Sequence, residues 1–122
     1  MNNKNNISQF FKQYYLWFII IIISFVYYFI WSLHIPMNLC PDEYMRFDVP
    51  LWILNNHKLP IGNEPELLNP IWGVSYAFSP YFPSMIAFVF MKFVSIFSKD
   101  TLVLLHAARF VSVLAGTATV FL

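Results

Sequence analysis

Of the 122 residues, 59% are hydrophobic, 20% aromatic and only 11% charged, which excludes an ordinary soluble domain, where roughly a quarter of residues carry charge. A formal net charge of +1 without a basic stripe leaves no electrostatic footprint for nucleic acid. The single cysteine, Cys40, has no partner for a disulfide within these residues and no Cys-x-x-Cys neighbour with metal-ligand spacing.

In chain order, residues 1–13 are polar and asparagine-rich and carry Lys4 and Lys12, which suits a short cytoplasmic tail under the positive-inside tendency. From Gln13 to Pro41 there is no charged side chain. Within that stretch, Tyr14 to Leu33 supplies the ~20 apolar residues that cross ~30 Å of hydrocarbon, with aromatic residues at both ends. Residues 14–34 are therefore expected to form transmembrane helix 1. The run is longer than a signal-peptide core and ends in bulky Trp31, Leu33 and His34 instead of a small-residue cleavage site, so it is expected to stay as an anchor.

Residues 35–79 are polar and punctuated by proline, with Asp42, Glu43, Asp48, Glu64 and Glu66 against Arg46 and Lys58. This excess of acid suits an external loop, although acids are weak topology determinants. Within it, Pro41 to Leu54 predicts a short juxtamembrane helix, with Pro41 at its first position and Asp42 and Glu43 in the first turn. Pro50 is expected to end or kink it. The segment HKLPIGNEPELLNP predicts an irregular crossing, with Glu64 and Glu66 as solvated charges. Trp72, Tyr76, Phe78, Tyr81 and Phe82 mark re-entry at the membrane interface.

Residues 80–97 predict a second span, with Lys92 snorkelling near one end. A cytoplasmic turn over 98–101 follows, where Lys92, Lys99 and Arg109 give basic character. Residues 102–122 predict a third span, in which Ser112, Ala115, Gly116, Thr117 and Ala118 favour close helix packing. That apolar run is still continuing at Leu122, and a helix ending in hydrocarbon leaves carbonyls unsatisfied. The expectation is an all-α, polytopic transmembrane protein of the cell membrane, N-terminus inside, of which this chain is an N-terminal part.

The acidic pair at the outer mouth of helix 1 is the candidate site. Adjacent carboxylates there can take a proton from an acceptor nucleophile or hold a divalent cation beside a phosphate leaving group, and the residue types leave both open. A partly dehydrated carboxylate has its pKa raised toward working pH, as a general base requires. Arg46, one turn from Asp42, can pair with it or grip a phosphate. The plainer account is that both acids stabilise a helix N-terminus through the macrodipole, by ~0.3 to 1 kcal/mol.

The sequence PDEYMRFDVPLWILNNHKLP resembles the first external loop of the polytopic GT-C glycosyltransferases, the class that includes protein O-mannosyltransferases and aminoarabinose lipid A transferases. In these an Asp-Glu motif follows the first transmembrane helix, and Asp42-Glu43-x-x-Arg46-Phe47 is similar to the Asp-Glu-x-x-Arg-Tyr form of one branch. A bacterial family of multi-spanning proteins with Pro-Asp-Glu-x-x-His-Phe is similar as well. The resemblance implies Asp42 as general base or acceptor-positioning carboxylate, Glu43 as a supporting or metal-proximal acid, and Arg46 as a contact to a lipid phosphate. It further implies a polyprenyl-phosphate sugar donor, a cell-envelope glycan, lipid or protein as acceptor, and a donor cavity completed by further helices, so that this chain alone is expected to be inactive. The alternative is a non-catalytic membrane subunit or transporter fragment with a structural loop. His34, His57 and His106 lack second ligands at zinc-site spacing; His106 and Arg109 read as a cytoplasmic-interface pair. Met85, Met91, Phe88 and Phe90 read as packing or lipid-facing residues.

Overall fold

The computed structural model describes residues 3–37, 39, 43–78 and 81–121, with side chains for 12–37, 39, 43–78 and 82–120. Four α-helices account for most of it: α1 (Asn3–His34), α2 (Glu43–Asn56), α3 (Tyr81–Val94) and α4 (Thr101–Phe121). Two 3-10 turns, Pro65–Leu67 and Tyr76–Phe78, lie between α2 and α3.

Two helices are long and apolar enough to cross a membrane, Lys12–His34 within α1 and Thr101–Val120 within α4. None of the α1 window is buried, and Trp17, Ile20, Ile23, Tyr27 and Trp31 are all exposed. A helix that is apolar on every side and unburied suits lipid as its solvent. The second apolar segment differs from expectation. α3 has 14 residues, about 21 Å at 1.5 Å per residue, short of a ~30 Å hydrocarbon core.

Helix direction also departs from a three-span path, in which the first and third spans would run parallel. Tyr28 of α1 packs its ring 3.2 Å from where a Cβ on Gly116 would lie. Farther along α1, Ser32 and Ile35 meet Arg109, so α4 runs back along α1 antiparallel to it. Close approach at Gly116 fits the small-residue pattern read in the sequence. Phe110 binds the two helices further, edge-on to Phe25 and Phe29 at centroid distances of 6.0 and 6.4 Å, a favoured aromatic geometry. The same ring meets Phe90 of α3 at 5.2 Å.

α3 turns into α4 through Ser95–Asp100, and Asp100 caps α4: its Oδ1 accepts the Leu102 N–H at 2.8 Å, satisfying one of the orphan donors of a helix start. The start of α4 then lies beyond the C-terminal end of α1, against α2 and α3. There Phe47, Leu54, Met91, Leu104, Leu105 and Ala107 form one buried cluster. A second cluster joins Val49 and Ile53 of α2 to Leu67 and Ala77 of the two 3-10 turns.

Pro50 does not end α2, which continues to Asn56. A proline here removes the bond to the Arg46 carbonyl, but Pro50 is itself buried, as are Ile53 and Leu54 beyond it, and that packing carries the helix through. It stops at His57, whose N–H donates to the Ile53 carbonyl at 2.9 Å with φ 54°. Left-handed backbone at this position is where glycine normally ends a helix. His57→Gly is therefore expected to raise stability by about 0.5 to 1 kcal/mol, readable as a later midpoint in thermal unfolding in detergent micelles.

Candidate functional site

A cavity of about 470 Å³ opens where the end of α1, the start of α2, and the facing sides of α3 and α4 meet. That volume is in the range of small-molecule sites. Its polar wall holds Glu43, Arg46 and Arg109, and its apolar wall includes Tyr28, Pro83 and Val113. Glu43 and Arg46 share this wall because three residues along a helix bring side chains to one face. Asp42, the other half of the acidic pair, lies outside the described residues, as do Cys40 and Pro41.

Arg109 organises this end of the cavity. From the middle of α4 its Nε donates to Glu43 Oε1 at 2.5 Å. Its Nη1 donates to the carbonyls of Ser32 (3.0 Å) and Ile35 (2.7 Å), and its Nη2 to that of Pro36 (3.2 Å). The last carbonyls of a helix have no partner of their own, and the partial negative charge there favours a cation. One guanidinium thus caps α1, pins the chain that leaves it, and fixes the first turn of α2. The Arg109 and Glu43 side chains retain 11% and 12% of their surface, so most of the pair is removed from water.

This placement corrects the reading of Arg109 as part of a basic cytoplasmic turn paired with His106. Counting flanking charges treats Arg109 as a loop residue, whereas it sits eight positions into α4 and is used up on backbone carbonyls and a carboxylate. An ionisable residue well inside an apolar segment is a signal for a specific partner, and the acids of the loop were the available candidates. His106 does not share these contacts; its Nδ1 is buried with no hydrogen-bond partner among the described residues.

Arg46, by contrast, is exposed and forms no ion pair with another described residue. The cavity therefore presents one guanidinium already committed and one available to an anion. Burial of Asp48 on α2 pushes its carboxyl above the ordinary range, but Asp48 is not on the cavity wall.

Two further sequence readings are resolved here. Glu64 is not a solvated loop charge: it accepts the N–H groups of Ile61 at 2.7 Å and Gly62 at 2.8 Å. The Ile61 bond foremost holds its carboxyl below the usual range, the expected result of hydrogen bonds to the charged form. His34 turns back on its own helix, with Nδ1 2.8 Å from the Ile30 carbonyl. Among the described residues no three His, Cys, Asp or Glu side chains group as metal ligands. Comparison with protein-family models, curated proteins and solved structures gives no match.

Proposed function

We propose that the chain is the N-terminal part of a GT-C-like membrane glycosyltransferase, which moves a sugar from a polyprenyl phosphate onto a cell-envelope glycan, lipid or protein. The observation that carries this reading is the largely apolar cavity with a charged end, at the close of the first apolar helix, with Glu43 and Arg46 of the acidic motif both on its wall. Such a site suits a ligand with an anionic head and a hydrocarbon chain. The proposed path in the membrane is a two-span hairpin: α1 runs outward, α4 returns, and the region between them lies on the non-cytoplasmic face of the cell membrane. Support comes from the antiparallel α1–α4 packing and from Lys4 and Lys12 at the start of α1.

In the proposed reaction Asp42 takes the proton of the acceptor hydroxyl as its oxygen bonds to the anomeric carbon. The bond from that carbon to the phosphate oxygen breaks, and the polyprenyl phosphate leaves with its charge held by Arg46. Glu43 acts as the supporting acid, tied through Arg109 to the start of α2. In membranes carrying the complete protein, Asp42→Asn is expected to lower sugar transfer by ~10²-fold or more, the usual effect of losing a general base. Transfer of labelled sugar from polyprenyl-phosphate donors into envelope fractions measures it, and undiminished transfer in both Asp42→Asn and Glu43→Gln would end the catalytic reading.

The Glu43–Arg109 tie favours one alternative, a membrane subunit whose loop is purely structural. Under it Glu43→Gln loosens the fold, Asp42→Asn is silent, and no sugar lipid is turned over.

A further inference from the structure

We infer that the Asn69–Val74 hairpin is a bilayer anchor that buries Ile71 and Trp72 in the interface of the outer leaflet. Its tip is built to hold apolar side chains outward. Asn69 Oδ1 accepts the N–H groups of Ile71 (2.8 Å) and Trp72 (3.0 Å), and its Nδ2 donates to the Tyr76 hydroxyl at 3.2 Å. The Asn69 N–H donates to the Val74 carbonyl, and the Gly73 N–H returns to the Asn69 carbonyl, both at 2.9 Å. Gly73 takes φ 65°, backbone that a side chain would strain. An isolated bridge pairs Leu68 with Ser75. Below the tip, Leu67 and Ala77 are buried against Val49 and Ile53 of α2, so the hairpin rises from a fixed base.

At the end of this framework Ile71 is 81% exposed and Trp72 77%. Phe78 and Phe82, later in the chain, are exposed as well, at 73% and 77%. Large apolar side chains left open to water are costly, and tryptophan, apolar in body with a polar N–H, is a residue that membrane interfaces favour. The lipid surface is the occupant for two reasons. From Leu67 through Met91 the chain has no charged residue, so nothing on it matches a charged protein partner. Its neighbourhood also fits: Pro83, one residue past Phe82, lines the same cavity as Tyr28 and Trp31 of α1, which puts the start of α3, the helix that follows the hairpin in the chain, beside the aromatic end of the first apolar helix.

The anchor rests on the bilayer placement proposed above but not on the transfer reaction. The full protein would be reconstituted in phosphatidylcholine vesicles, with acyl chains plain or brominated near the headgroup. Emission lost on substituting Trp72→Phe isolates Trp72, and Trp31→Phe isolates the exposed tryptophan near the C-terminal end of α1. Trp72 is expected to be quenched by brominated lipid as steeply as Trp31, to be shielded from aqueous iodide, and to behave identically when anionic lipid is added. Quenching of Trp31 without quenching of Trp72 would overturn the anchor alone. That result with iodide access would leave the tip in water, and without it would place another protein segment there. Absence of quenching at both positions would overturn the bilayer placement itself.

Discussion

Replacing Arg109 with methionine is expected to destabilise the protein by about 3 to 5 kcal/mol, the cost of stripping one partner from a largely buried ion pair. The loss has three parts acting together: Glu43 loses its guanidinium partner, the carbonyls of Ser32, Ile35 and Pro36 lose their donors, and α4 loses its polar attachment to α1. Unfolding in mixed micelles of increasing sodium dodecyl sulfate content measures the change. Hydrogen exchange at the last turn of α1 should rise more than exchange around Gly116. Arg109→Lys should recover only a small part, because an ammonium cannot span four acceptors in the planar fork that guanidinium provides. The double variant Glu43→Leu with Arg109→Met should lie well above the single one in stability, since it leaves no stranded charge. A single variant as stable as the parent chain would show that the guanidinium does not organise this junction.

Phe47→Ala should cost a similar amount, about 3 to 5 kcal/mol, from a cavity left by a ring that is 2% exposed and packed among Leu54, Met91, Leu104 and Leu105. The ring joins α2 to both α3 and α4 and lines the cavity beside Glu43 and Arg46. Its removal should therefore free α2 from the helices behind it while leaving the α1–α4 pair intact. Limited proteolysis between Asn55 and Gly62 should accelerate in Phe47→Ala and not in Tyr44→Ala, where an exposed side chain three residues earlier is lost at little cost. Equal cleavage of the two variants would mean that α2 is held by something other than this cluster.

The helices themselves were largely written in local pattern. The first apolar helix ends at His34 in both the sequence reading and α1, and Gly116 was recognisable as a close-packing residue because only small side chains let two helices approach. The start of α2 at Glu43 was equally visible, since capping chemistry depends only on neighbours along the chain. Pro50 marks the limit of that logic: its local rule is to break a helix, and burial of Pro50, Ile53 and Leu54 overrides it.

What an apolar segment packs against was not legible, and that decides the path of the chain. Residues 81–94 have the composition of a span, yet hydropathy reports only transfer out of water and treats lipid and a helix neighbour alike. The tertiary structure gives α3 a place beside α2 and α4, turns α4 back along α1, and brings Arg109 to Glu43 across 66 positions of sequence. No window along the chain contains that pair. Sequence alone determined where the apolar middles of the helices lie and which stretch is polar, because those follow from short-range periodicity. Tertiary structure decided which charges meet and where a cavity opens, because a guanidinium in an apolar setting is stable only where acceptors from distant segments converge on it.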